Sequence, residues 1–495
     1  LKYELEVFRL GGAFQLREDT RFVGTLEPAQ VSVDVAYGKL ILSCWDEGWS
    51  KSWRVVSGEI VSSGLTLACT RKMGMDRCRL ELQRGTDIAP YLPPPDFASG
   101  LRSLIESNLA GLRVVRVERG RDDRRGLSSS YVRLKIKERS TQGGSIAAGI
   151  LVSGDKDQSV VDGALAAGLV WADALSKAGT AVGRLLVFAP SGRATSMANR
   201  LTLIRQTEIA VQLYEIDEQG QTVSAVSPFD QGDLSDNLKK VAERVTWPED
   251  VPPNTEVERL VSSVVGIAPE FIDARARDGG ICISIRGLEF GRVAAGDGRL
   301  YFGPSGERKR LGSGNWGELQ RLIWRIISER TPHSEDRNGD IYRAQSERWL
   351  ESIIKNRADV IDPNIDSRHV YCQVPACRGE ERTYIDLLAA TRSGRLVVIE
   401  LKTAEDSDFP FQGLDYWMRV NWHAQRGDFQ RRGYFRGLAL SDEPPLLYLV
   451  APLFRFHSTT ALIAGAVSEQ VPLYRIGINE DWRAGVRVLL RERLN

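Results

Sequence analysis

Apolar positions along the chain recur at two periods, and the switches between them divide it. Through residues 1–90 they alternate or run Val/Leu/Ile-rich in short stretches, Tyr3–Leu10, Val31–Cys44, Trp53–Thr70 and Cys78–Gln83, broken by Gly, Asp and Ser. That pattern predicts an all-β domain, a small barrel or sandwich. Trp45, Trp49 and Trp53 surround Asp46-Glu-Gly48; in a small β-domain such rings belong to the core, with an exposed binding edge as the alternative. Residues 90–96, PYLPPPD, read as a stiff linker.

From 97 to 248 the pattern turns to mixed α/β. It predicts a helix over Gly100–Ala110, strands over Arg113–Val117, Tyr131–Lys137 and Ile146–Val152, a helix over Val160–Ala178, a strand over Arg184–Ala189, a helix over Thr195–Arg205 and a strand over Ile209–Ile216. A Pro-rich break at 247–253 opens a small α+β module, 254–331, with short strands at Phe271–Ala276, Ile281–Arg286, Gly291–Val293 and Arg299–Phe302. There Trp316, Leu319, Leu322, Ile323, Ile326 and Ile327 recur at helical spacing. Its Gly-rich loop Gly303–Gly314 lacks the Gly-Lys-Ser/Thr of a phosphate-cradling loop and is assigned no chemistry.

The last block, 340–495, predicts a helix Gln345–Asn356, a strand Val370–Val374 and a hairpin of Tyr384–Ala390 and Arg395–Lys402 joined by Thr391-Arg-Ser-Gly394. A helix Phe411–His423, a strand Leu446–Ala451, a helix Thr459–Ala466 and a strand Val471–Ile478 follow. Two blocks match in order along the chain. Leu185–Pro190 resembles Leu447–Pro452, Val211–Ile216 resembles Val471–Ile476, Leu104–Ser107 resembles Trp349–Ser352, and Tyr131-Val-Arg133 aligns with Tyr384-Ile-Asp386. One fold used twice is the reading, chance similarity of two α/β layers the alternative. In the first copy Arg133 stands where the second has Asp386, and Ile146–Val152 carries neither acid nor lysine.

Composition narrows the function classes. With 66 Lys+Arg against 65 Asp+Glu the formal charge is +1, so any nucleic-acid surface must be local. The six cysteines form no C-x-x-C pair or His-supported zinc pattern, which fits reduced thiols and a cytoplasmic location. No secretion signal or membrane span is expected.

The chemistry concentrates in the hairpin. Glu400 and Lys402 are two apart on an apolar strand and share a face, Leu401 points to the other, and Asp386 can lie beside them from the partner strand. Glu347 and Glu351 lie one helical turn apart upstream, and Gln412 and Tyr416 project together from the helix downstream. Two carboxylates suit a hard divalent ion, and a lysine adds positive charge or, if its pKa is depressed, a proton acceptor; together they serve phosphodiester hydrolysis. A bare Glu-x-Lys would otherwise read as a same-face salt bridge with Asp386 as a hairpin cap.

The order helix-Glu, strand, Asp, hairpin, Glu-x-Lys, then Gln-x-x-x-Tyr resembles the PD-(D/E)xK nuclease superfamily, in the branch of RecB-type domains and endonucleases acting on mismatched or branched DNA. The resemblance covers 340–425 as motif and 340–495 as fold. It implies a C-terminal restriction-endonuclease-like nuclease domain and says nothing about the first 330 residues, where the apolar pattern and the repeat predict the rest of a multidomain α/β chain: an N-terminal all-β domain, a degenerate restriction-endonuclease-like α/β domain and a small α+β module. It implies that Asp386, Glu400 and the carbonyl of Leu401 bind one or two Mg²⁺ or Mn²⁺ ions, that Lys402 activates or positions water, and that Glu351, favoured over Glu347, orients the active-site helix or joins a second metal site. Gln412 and Tyr416 would brace the lysine or contact substrate phosphate, with Arg419 also substrate-binding, DNA ahead of RNA as partner and a homodimer open. The nominal Pro-Asp reads Ile385-Asp386. A non-catalytic nucleic-acid binder and a ligand-gated defence nuclease are the alternatives. Arg419, Arg426, Arg431, Arg432 and Arg436, interleaved with Trp417, Trp422, Phe429, Tyr434 and Phe435, offer a nucleic-acid groove or a solvated basic face over buried rings. His423, with no partner at metal spacing, is left out of the mechanism.

Overall fold

The computed structural model of the chain describes residues 5, 14–19, 21–36, 39–46, 49–61, 64–71, 76–83, 97–120, 122, 127–128, 130–138, 146–154, 156–206, 209–217, 221–227, 255–277, 280–294, 298–304, 308–378 and 381–495. Both Pro-rich stretches, 90–96 and 247–253, and all of Tyr3–Leu10 but Leu5 lie outside them. The chain is mixed α/β, with four sheets among the described residues, in two compact units, Leu1–Gly100 and Leu101–Asn495.

The first unit is a single antiparallel sheet of β1 (Phe14–Glu18), β2 (Arg21–Leu26), β3 (Val31–Ala36), β4 (Lys39–Asp46), β5 (Trp49–Val61), β6 (Gly64–Arg71) and β7 (Asp76–Gln83), ordered β2-β1-β7-β6-β5-β4-β3. Alternation does the work: Leu65, Leu67 and Cys69 on β6 and Leu80 and Leu82 on β7 are buried together. The long runs Val31–Cys44 and Trp53–Thr70 each resolve into two strands. Trp53 is core at 1% exposure, and its indole donates to buried Glu18; Trp45 is 40% exposed and is surface.

In the second unit, β8 (Leu112–Glu118), β9 (Tyr131–Glu138), β10 (Ile146–Val152), β11 (Val182–Pro190), β12 (Ala210–Asp217) and β13 (Thr222–Val226) form one sheet in reverse chain order. The pairs β8–β9 and β9–β10 are antiparallel, β10–β11 and β11–β12 parallel, β12–β13 antiparallel. Helix α1 (Phe97–Asn108) precedes the sheet. The predicted helix Val160–Ala178 is two helices, α2 (Gln158–Asp162) and α3 (Ala164–Lys177), and α4 (Thr195–Leu201) follows β11. The break falls at Gly163, where a Cβ would lie 2.5 Å from the Tyr131 hydroxyl, which donates to the Val160 carbonyl. Residues Gln158–Lys177 have the length and mean hydropathy (1.3) of a membrane span, but 67% of the window is buried inside the unit, as in a core helix.

The small module is an antiparallel sheet of β14 (Ile272–Arg277), β15 (Gly280–Ile285), β16 (Leu288–Val293), β17 (Leu300–Phe302) and β18 (Lys309–Arg310). It is covered by α5 (Thr255–Val265) and α6 (Trp316–Glu329), whose Leu319, Ile323 and Ile326 are buried against Ile283 and Ile285. The last block begins with α7 (Ser346–Asn356), followed by β19 (Ile365–Arg378), β20 (Glu381–Thr391), β21 (Leu396–Leu401), α8 (Phe409–Gln425), β22 (Leu446–Pro452), α9 (Thr460–Gly465), β23 (Leu473–Ile478) and β24 (Val488–Arg493). Its sheet order, β19-β20-β21-β22-β23-β24, and its strand directions repeat those of β8–β13.

The ladders align the two blocks residue by residue. Ile150 pairs with Arg133 and Val187, while Glu400 pairs with Leu449 and falls one step beyond the pair Leu387–Ile399, across from Asp386. Leu185 pairs with Val211 and Leu447 with Leu473, so the counterpart of Val211 is Leu473, two residues after the Val471 that side-chain similarity suggests. Gly168 on α3 and Gly413 on α8 do the same job: a Cβ at either would press on Leu185 or Leu447, so each glycine lets its helix lie close on its sheet. The helices lie between the two sheets and share one continuous core, which runs from Ile150, Leu165 and Leu185 to Val398, Leu414 and Leu447.

Candidate active site

Strand β21 is buried along its whole length, so the Glu400 side chain enters an apolar layer. The β20–β21 ladder ends at Leu387–Ile399, and beyond it Asp386 Oδ2 accepts the Leu401 N–H at 2.9 Å in place of a backbone partner. Lys402 is held at the sheet by its own N–H, donated to the Val450 carbonyl at 3.0 Å. Glu400 is 2% exposed, and its Oε2 has no hydrogen-bond partner among the described residues.

Electrostatics follow from burial. Desolvation raises the Asp386 carboxyl above the ordinary range, opposed by the Leu401 N–H. Glu400 is raised well above it, first by burial and then by the Asp386 charge. Burial works to lower the Lys402 ammonium, but Glu400, Asp406, Glu347 and Asp386 outweigh it and hold it above its usual value. In this arrangement Lys402 is a fixed positive charge, with Asp406 at 3.5 Å, and not the depressed proton acceptor that burial alone suggests.

The two helix acids divide. Glu351, 4% exposed, accepts from Arg348 at 3.0 Å and from the Gln373 amide, and lies 3.5 Å from Arg275 of the small module. Burial lifts it to about 7, with Arg348 opposing and Asp386 adding. Glu347 accepts the Thr403 N–H at 3.4 Å, and its charge acts on Asp386, Glu400 and Lys402. Tyr416 is buried, and burial and then Glu400 push its phenol to about 12, with Gln412 opposing. Arg419 is half-buried and donates to the Asp415 carbonyl at 2.6 Å.

Sequence reasoning missed Gln373. It sits in β19 between the pairs Cys372–Leu387 and Val374–Ile385, hence opposite Asp386, and its amide donates both to Asp386 Oδ1 at 3.2 Å and to Glu351. Its φ of +52° in mid-strand is a left-handed conformation that a non-glycine residue adopts at a cost of about 1–3 kcal/mol. Gln373 also lines a cavity of about 100 Å³ shared with Arg275, Arg348 and Glu351, and its Oε1 has no partner among the described residues. No sequence signal marks it.

Arg330 was missed as well. Fully buried, it donates to the carbonyls of Arg286, Ile341, Ala344 and Gln345 and stacks 4.7 Å over Trp349, tying the module to the start of α7. Of the rings interleaved with arginines, Trp417, Phe429, Tyr434 and Phe435 are buried in the shared core, while Arg426, Arg431, Arg432 and Arg436 are exposed. The solvated basic face over buried rings is the arrangement found. His423 is buried and paired with Asp428 at 2.7 Å.

Among the described residues no group of three or more His, Cys, Asp or Glu side chains is set to hold a metal. A two-carboxylate site is a smaller donor set, and the unpartnered buried Oε2 of Glu400 beside Asp386 fits it. Compared with known proteins, the chain matches no family model and no curated relative.

Proposed function

We propose that the chain is a metal-dependent nuclease that hydrolyses phosphodiester bonds of DNA, an endonuclease whose last block is restriction-endonuclease-like and of the PD-(D/E)xK kind. One observation carries the reading: a glutamate 2% exposed on an apolar strand, with an unpartnered oxygen, beside a second raised carboxyl. Lys402 gives the two carboxyls one positive charge between them, and burying the second without compensation costs several kcal/mol, so the pair suits a further cation. Asp386 and Glu400 would hold Mg²⁺ or Mn²⁺, with the Leu401 carbonyl as a further oxygen ligand. When bound, the ion would lower the pKa of a coordinated water and neutralise charge developing on the phosphate.

The chain's own residues do the rest. The Leu401 N–H and the Gln373 amide fix both oxygens of Asp386, each of which keeps a second lone pair for another partner. Lys402 presents a positive charge that needs no reorganisation as the phosphate becomes more negative. Glu351, locked by Arg348, Gln373 and Arg275, orients rather than reacts. Gln412 and Tyr416 brace the Glu400 side from α8, and the exposed arginines of 426–436 would meet backbone phosphates. The contact of Arg275 with Glu351 favours a second element, in which the small module adjusts the nuclease through that ion pair.

The test is a metal-titrated cleavage assay of wild type and Glu400→Ala on single-stranded, duplex, flapped and RNA substrates. Mn²⁺- or Mg²⁺-dependent cleavage of DNA, lost in Glu400→Ala, is expected. Salt-dependent binding without turnover on any substrate would instead support the non-catalytic binder.

A further inference from the structure

The two blocks meet as halves of a two-fold pair. In each, a helix follows the second parallel strand of the motif, α4 after β11 and α9 after β22. The residues leaving those two helices, Ile204 and Val467, form an antiparallel bridge with each other. It is closed reciprocally by the Arg205 N–H to the Ala466 carbonyl at 2.8 Å and the Ser468 N–H to the Leu203 carbonyl at 2.7 Å. The helix contacts are reciprocal too: α3 packs on α9, and its counterpart α8 packs on α4. The same surface from each side is the mark of an isologous interface, which a symmetric homodimer makes between two chains. Here it is made within one.

The first block therefore fills the seat that a second nuclease block would take, and Arg200, fully buried, bonds it there with two contacts to Asp415 of α8 at 3.0 and 2.8 Å. Apart from Glu106, which keeps the place of Glu351, that block holds no acid at the equivalent positions: Arg133 stands for Asp386, Ile150 for Glu400, Val152 for Lys402 and Trp171, on α3, for Tyr416. All four are buried, and Ile150 and Val152 belong to the shared core. A two-fold pair with two live centres can cut both strands in one encounter; this pair has one.

Resting on the nuclease reading, we infer that the chain is a single-strand nicking enzyme, a self-contained pseudo-dimer that hydrolyses one phosphodiester bond per encounter. One water adds across one bond: its oxygen joins phosphorus, the bond to the leaving sugar oxygen breaks, and the proton ends on that oxygen. No second chain is needed to complete the site.

The experiment uses the full chain with Mn²⁺ and a supercoiled DNA circle in excess, the circle carrying one short unpaired bubble so that duplex, single strand and junction are all offered. The expected product is the nicked circle, accumulating before any linear form, at a rate proportional to protein concentration. Adding a fivefold excess of Glu400→Ala chain should leave the rate per active chain unchanged. Linear product formed from the earliest times, with a rate rising as the square of concentration and poisoned by Glu400→Ala, overturns the inference while leaving the nuclease reading intact. No opening of the circle by wild type removes both.

Discussion

Where the last block sets Asp386 opposite Gln373 and Glu400 beside Leu449, the first sets Arg133 opposite Glu118 and Ile150 beside Val187. The scaffold around these positions is the same in strand order, in direction and in the glycine that lets the covering helix approach. The difference teaches that the fold does not need the charged site. Ile150 and Val152 fill the shared core without desolvating a charge, and Arg133 donates to the carbonyls of Arg119 and Gly120 and lies 3.9 Å from Glu118, its Nε without a hydrogen-bond partner among the described residues. The last block keeps two raised carboxyls and a left-handed Gln373 where the first keeps none of these, and such departures from local stability support the proposed site.

The contrast is broken most directly by removing each block's central residues. Asp386→Ala and Lys402→Ala should lower cleavage by more than the roughly 100-fold that outer-shell partners cost. Arg133→Ala should leave turnover per folded molecule within about threefold of wild type while lowering stability by about 1–3 kcal/mol; steady-state cleavage with chemical denaturation separates the two.

Next in size is the tie between the blocks. Arg200→Met strands Asp415 in the core and should cost about 3–5 kcal/mol, much of it recovered in Arg200→Met/Asp415→Leu, as read by denaturant midpoints. An Arg200→Met chain as stable as wild type would show that the blocks do not depend on this pair.

Glu351 gives a pH signature. Its folded pKa is raised from 4.5 to about 7, so the folded state holds an extra proton through that window. The stability this contributes is complete below the unfolded value and is lost as pH rises through 7, about 3 kcal/mol in all. In metal-free buffer, where the raised Asp386 and Glu400 carboxyls add losses of the same sign, wild type should lose about 3 kcal/mol more than Glu351→Gln between pH 4.5 and 8.

The smallest effect expected is at Gln373. Glycine adopts φ +52° without strain, so Gln373→Gly should match or exceed wild type in melting temperature while raising the Mn²⁺ concentration for half-maximal cleavage about 10–100-fold. An unchanged Mn²⁺ midpoint would reduce Gln373 to a structural filler.

Sheet membership and the hairpin were legible because apolar period and turn chemistry are local: Tyr384–Ala390 falls within the strand Glu381–Thr391, and Arg395–Lys402 contains the strand Leu396–Leu401. Glu400 and Lys402 could be marked as a pair because charge on an apolar strand needs a reason. What stayed hidden depends on distance in sequence. The helix break at Gly163 is set by Tyr131, the seat of Glu351 by Arg275 and Gln373, and the shift from Val471 to Leu473 by ladder register. The inward turn of Tyr434 and Phe435 is decided by packing against Tyr371, and that of Phe429 by packing against those two rings.

The central claim is one metal centre per chain, in the last block, beside a silent twin. Mn²⁺ binding to the full chain, followed by loss of the free-ion paramagnetic resonance signal, tests it most directly. Saturable binding in wild type, kept in Arg133→Ala and abolished in Glu400→Ala, is the result predicted. Binding that survives Glu400→Ala, or a wild type that binds no Mn²⁺, would contradict it.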